Sequence, residues 1–177
     1  MFFKVSIALA ALVVIAACLA FRAGAAGNPP LQTVERVDLA RYAGVWHEIA
    51  RYPNRFQKGC IGSMATYTLR DDGEVDVVNS CRSEKDGSPR QVKGRAWSVD
   101  PVSNARLKVS FFWPFRGDYW IMELGKDYEY VVVGTPNRKY LWVLSRTPVM
   151  EDEVYGAIME RARVQGFDPA KMMRSSQ

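Results

Sequence analysis

Eight short runs of alternating apolar and polar residues, each closed by a turn signal, leave this 177-residue chain few ways to fold. The runs cover residues 44–52, 61–69, 74–82, 91–99, 106–113, 119–124, 128–135 and 139–146. Between them stand Asp72-Gly73, Asp86-Gly87-Ser88-Pro89, Asp100-Pro101, Arg116-Gly117-Asp118 and Pro136-Asn137, which supply a positive φ, a fixed φ or an Asx bend. Short connections make successive strands antiparallel neighbours, and eight strands in up-and-down order close into a barrel wide enough for one small ligand. Closure also removes the sheet edges that invite aggregation. Trp46 at the start of the first run and Arg146 at the end of the last fall at the same end, where a guanidinium across an indole makes a plugged floor. A plugged barrel is a cup, and apolar walls suit an apolar ligand.

The expected class is therefore all-β, an eight-stranded antiparallel up-and-down barrel with one C-terminal α-helix packed outside it. Thr147-Pro148 ends the last strand, and Glu151-Asp152-Glu153 puts acids where the macrodipole of a new helix favours them. Val154, Ala157, Ile158 and Ala162 follow at helical spacing, and Gly166 closes the helix. A single apolar stripe means a single buried face.

Residues 1–17 read as a signal peptide: Lys4 precedes an apolar run from Val5 to Phe21 that is broken only by Ser6 and Cys18. Ile15-Ala16-Ala17-Cys18 resembles a bacterial lipobox, which makes Cys18 the lipidated first residue of the mature chain. Several acyl chains on one cysteine suffice for stable anchoring. Leu19 after the cysteine, in place of Asp, resembles an outer-membrane address. Cleavage at Ala23-Gly24-Ala25 is the alternative, and it would release a soluble periplasmic protein. Residues 18–34 form the tether and 35–177 the barrel domain with its helix.

The net charge of +5 comes from 24 basic and 19 acidic residues scattered singly, a solvated surface with no nucleic-acid stripe. Cys60 and Cys81 form an even pair in an oxidising compartment. They flank the hairpin turned by Arg70-Asp71-Asp72-Gly73, which brings them together at its far end, so a disulfide is expected. Nothing assembles into an enzyme. His47, the only histidine, has the parity of the outer face next to Trp46, and no phosphate-cradling glycine loop, Cys-x-x-Cys or metal set appears. No cofactor is called for.

Three blocks carry a family resemblance: Gly44-Val45-Trp46 with Glu48-Ile49-Ala50-Arg51, the run from Leu107 to Phe115, and Tyr140 to Pro148. The chain resembles a lipocalin of the bacterial outer-membrane lipoprotein group related to apolipoprotein D, departing from it at His47, where Tyr is usual, and in the Cys60 and Cys81 pair. With that resemblance fixing the phase of the alternation, the expected cavity lining is Glu48, Ala50, Ala65, Tyr67, Val75, Val77, Val92, Ala96, Leu107, Val109, Phe111, Tyr119, Ile121, Val131, Val133, Tyr140 and Trp142. Glu48 is either a hydrogen-bonded structural carboxylate or a handle for a ligand headgroup. Phe111, Phe112, Trp113 and Phe115 are either core and rigid loop or partly an apolar lip. The resemblance implies binding, storage or carriage of a fatty acid or lysophospholipid at the cell envelope, during membrane maintenance or stress. Two other readings stand beside it, a lipocalin-fold isomerase using the Cys60 thiol and a carrier of haem or another pigment. Monomer and homodimer both remain open.

Overall fold

A computed structural model describes residues 28–176. The signal peptide, Cys18 and the tether up to residue 27 lie outside the described residues. Eight strands, β1 (Gly44–Arg51), β2 (Cys60–Leu69), β3 (Val75–Ser83), β4 (Pro89–Ser98), β5 (Arg106–Phe112), β6 (Phe115–Leu124), β7 (Tyr130–Gly134) and β8 (Leu141–Ser145), pair antiparallel in chain order. Closure is the work of β1, whose first half pairs with β2 (Trp46 opposite Ala65) and whose second half pairs with β8 (Glu48 opposite Leu144). A short helix α1 (Leu39–Tyr42), capped by the Asp38 carboxylate accepting from the Ala40 and Arg41 amides, lies beneath the end that holds Trp46. Helix α2 (Asp152–Val164) follows the barrel.

Two apolar clusters divide the residues by side of the wall. Inside are Trp46, Ala65, Tyr67, Val75, Val77, Ala96, Leu107, Ile121, Val131, Val133 and Leu144, with Val37 and Tyr42 rising from below. Outside, Ile49, Tyr52, Met122, Val132, Leu141 and Val143 meet Ile158, Met159 and Ala162 of α2. Of the stripe expected from the sequence, Ile158 and Ala162 are buried in that face together with Met159, while Val154 and Ala157 are exposed.

Other differences have local causes. The residues Arg116-Gly117-Asp118, expected as a turn, lie inside β6: Gly117 pairs with Val109, and Asp118 pairs with Lys108 and accepts from its Nζ at 2.6 Å. The chain reverses instead at Trp113-Pro114, between the paired Phe112 and Phe115. A ninth strand, β9 (Met173–Arg174), pairs with Ala50 and Arg51 of β1. The tail then spans to the next strand, where the Gly62 amide donates to the Ser176 carbonyl at 2.7 Å. Two residues are too few to show a period, so the sequence gives no sign of β9.

Cys60 and Cys81 form a disulfide across a separation of 21 residues, at the end of the β2–β3 hairpin away from its turn. Loop-closure entropy for a loop near this size is about 3 kcal/mol. Urea unfolding with and without reductant is expected to differ by about that amount, and coincident curves would show that the bond contributes nothing.

Candidate functional site

The floor of the cup is Trp46, fully buried, with its indole N–H donating to the Tyr42 carbonyl at 2.8 Å. Arg146 lies across the ring with its guanidinium carbon 3.8 Å from the centroid. The same guanidinium donates to the carbonyls of Arg41, Tyr42, Val45 and Tyr128, tying α1, β1 and the β6–β7 turn together. Gly44 stands where a side chain would be strained, at φ +101°, and a Cβ there would come within 3.1 Å of the Arg146 Nη1. This explains the first residue of the Gly-x-Trp signature in terms of the last residue of the closing block.

Above the floor sits a feature that local patterning did not reveal. The hydroxyls of Tyr42, Tyr119 and Tyr67 form a chain, 2.6 Å from Tyr42 to Tyr119 and 2.9 Å from Tyr119 to Tyr67. Three hydroxyls share two hydrogen bonds, so one O–H proton remains for a further acceptor. Burial pushes all three phenols well above their ordinary pKa near 10, so they are neutral donors and not anions. Only their separation in sequence, 77 and 52 residues, hid the arrangement.

The middle walls are the buried Ala65, Val75, Val77, Ala96, Leu107, Ile121, Val131 and Val133. Val109, Phe111, Tyr119 and Trp142 pack on this cluster while keeping part of their surface open. Val92, on the same face of β4 as Ala96, is half-buried opposite Asn79, a polar wall residue that the expected lining omits. Between them, Gly94 makes room for the Phe111 ring, since a Cβ there would lie 2.6 Å from it.

Ala50 is a correction. The pairing of β1 with β8 shifts between Glu48 and Ala50, so Ala50 shares the outer face with Val143 and with Arg174, whose guanidinium stacks on Tyr155 of α2. Arg51 takes the inward place opposite Trp142. It lies 3.4 Å from Glu48 in an ion pair that is almost wholly buried. The Glu48 carboxylate also accepts from the Gln57 side chain and the Ser175 hydroxyl, while the Trp142 indole donates to Gln57 Oε1 at 3.1 Å. Glu48 is thus built into the rim, knitting β1, β8, the connection before β2 and the C-terminal tail.

Tyr140 precedes β8 and stacks on Trp142 at the open end, with centroids 5.6 Å apart. The aromatic run divides. Phe111 packs against the interior cluster, whereas Phe112, Trp113 and Phe115 are 69%, 78% and 77% exposed on the β5–β6 turn at the open end. The His47 pairing with Met64 and Ser145 leaves it half-buried on the outer face. Among the described residues, no three His, Cys, Asp or Glu side chains converge on a metal position.

Residues 37–177 match the family model described as a lipocalin-like domain. The chain is 40% identical over 164 residues to the outer membrane lipoprotein Blc of Escherichia coli K12, covering 90% of this chain and 93% of that one. It is 31% identical over 168 residues to apolipoprotein D of Bos taurus, covering 89% and 85%. Insecticyanin of Manduca sexta has the same fold, with a TM-score of 0.69 at 21% identity over 85% of this chain and 86% of that one.

Raised phenol pKa values make stability depend on pH in one direction. Below the unfolded value near 10 both states are protonated, and the stability is fully present. As pH rises past it, the unfolded chain releases protons that the folded tyrosines still hold, so stability falls. Absorbance at 295 nm is expected to show the Tyr42, Tyr67 and Tyr119 ionisations only as the near-UV circular dichroism is lost. Their titration in an intact fold would contradict the buried chain of hydroxyls.

Proposed function

The chain belongs to the lipocalin-like family, which makes it a binding protein for a small hydrophobic ligand rather than an enzyme, and from that premise we propose that the ligand is a fatty acid or lysophospholipid held in the barrel at the cell envelope. One observation carries the reading: apolar walls stand over a plugged floor, and the partly open Val109, Phe111 and Trp142 lie above them. An acyl chain entering there leaves water at about 25 cal/mol per square ångström of apolar surface. The contact surface for that chain is the partly open portion of the expected lining, Val92, Val109, Phe111, Tyr119, Tyr140 and Trp142. The remaining O–H of the tyrosine chain is a donor for a carbonyl or hydroxyl group on a ligand that reaches the floor.

The proposed setting is the outer membrane, with Cys18 acylated and the barrel on the periplasmic face. Blc of Escherichia coli is named an outer membrane lipoprotein, which supports this setting. So does the course of the chain: Pro29 accepts from Arg138 in the β7–β8 turn, which belongs to the open end. Cys18 stands eleven residues earlier in the sequence. The anchor thereby tethers the mouth, with its exposed Phe112, Trp113 and Phe115, towards the lipid from which a ligand would be drawn. The disulfide removes the Cys60 thiol that an isomerase would need.

Native mass spectrometry of the envelope-extracted protein, followed by organic extraction, tests both parts. The expected result is a mature chain beginning at acylated Cys18 and carrying about one acyl lipid per barrel. A chain cleaved after Ala25 would overturn the anchor, and a barrel that takes up no fatty acid or lysophospholipid on incubation would overturn the ligand class.

A further inference from the structure

Outside the apolar interior, a cavity of about 500 Å³ lies between the connection from β1 to β2, the start of β2 and the C-terminal strand β9. Residues of the interior apolar cluster do not line it. Its wall contains four basic side chains, Arg51, Arg55, Lys58 and Arg174, and one acid, Glu84. Arg51 is offset by Glu48, and Arg174 donates to Asp152. Arg55 and Lys58 are exposed, and neither is in an ion pair with a described residue at the cavity.

A second observation concerns Arg51 in the cavity wall. Arg51 is only 8% exposed, yet its Nε has no hydrogen-bond partner among the described residues, although its Nη1 faces Glu48 and its Nη2 donates to the Gln57 carbonyl. A buried donor of this kind costs free energy unless an acceptor reaches it. The loop that carries Arg55 and Lys58 is held in place, since the Arg90 guanidinium donates to the Lys58 carbonyl at 3.1 Å. A tetrahedral oxyanion suits such a wall, offering several acceptor oxygens to donors that arrive from different elements.

We propose that this cavity is a phosphoryl-binding site, with Arg51, Arg55 and Lys58 as its donors and β9 as its outer wall. The bound group is a phosphate monoester or diester, carried either on a lipid headgroup or on free phosphate. For a lipid whose chain occupies the barrel, the site rests on the preceding reading and adds the headgroup class to it. Glu84 is the opposing charge that limits affinity.

Calorimetric titration of the purified protein at low salt tests the site with three probes: inorganic phosphate, 1-oleoylglycerol 3-phosphate, and 1-oleoylglycerol as the same chain without phosphate. Saturable binding of inorganic phosphate that is lost in Arg55→Gln/Lys58→Gln supports a site filled by the free anion. If inorganic phosphate does not bind but the phosphorylated lipid binds about tenfold tighter than 1-oleoylglycerol, and the double variant erases that margin, the source is the headgroup. Glu84→Gln is expected to tighten either interaction, a gain that a misfolded variant would not show. The proposal is overturned if inorganic phosphate does not bind and the margin between the two lipids is absent or survives in the double variant. It is equally overturned if phosphate binds both proteins alike. Failure of both lipids to bind contradicts the barrel reading, while the phosphate titration still decides the anion site.

Discussion

The contact of Arg146 with Trp46 is the constraint on which the rest depends. One guanidinium covers an indole at 3.8 Å and donates to carbonyls of α1, β1 and the β6–β7 turn, so the first and last strands are fixed to each other and to the segment below them. The stacking alone is worth about 0.5 to 2 kcal/mol, and loss of a buried tryptophan typically costs about 3 to 5 kcal/mol. That end of the barrel is thereby filled, and the apolar residues that point inward above Trp46 pack into one cluster over it.

The rim at the other end carries a polar network. Glu48, Arg51, Gln57 and Ser175 join three separate stretches of chain at the rim, and Trp142 of β8 is tied to the same network through its indole N–H. A buried ion pair is weak evidence for stability, because desolvation offsets much of the attraction. Its effect in this barrel is positional. It holds the connection before β2 and the C-terminal tail against β1, and these are the elements that frame the cationic cavity at the mouth. The residues that line the charged cavity are distinct from those of the interior apolar cluster.

The legible part of the fold is the part with a period. β3 and β4 keep strict alternation, and Val75, Val77 and Ala96 are buried as parity requires. Parity fails at the bulge after Glu48, where two residues of β1 oppose one of β8, and Ala50 turns outward while Arg51 turns in. Residue type misleads at Arg116-Gly117-Asp118, which has turn composition but is held in β6 by its partners on β5. In α2, Ile158 and Ala162 are buried as their spacing requires and Met159 joins them, while Val154 and Ala157 are left exposed. Tyr67 and Tyr119 were legible as inward residues, but their hydroxyl chain with Tyr42 and the cavity beside β9 were not, because each is made by residues far apart in the chain. Such sites are assembled by closure and have no local period.

Quenching of tryptophan fluorescence by brominated stearic acid tests the central claim, an acyl chain inside the barrel, most directly. Trp142 packs on the interior cluster, whereas Trp113 is 78% exposed on the turn between β5 and β6. Saturable quenching is expected, reduced in Trp142→Phe and unchanged in Trp113→Phe. Quenching that disappears with Trp113 and persists without Trp142 would place the lipid on the outer tip and contradict the cup.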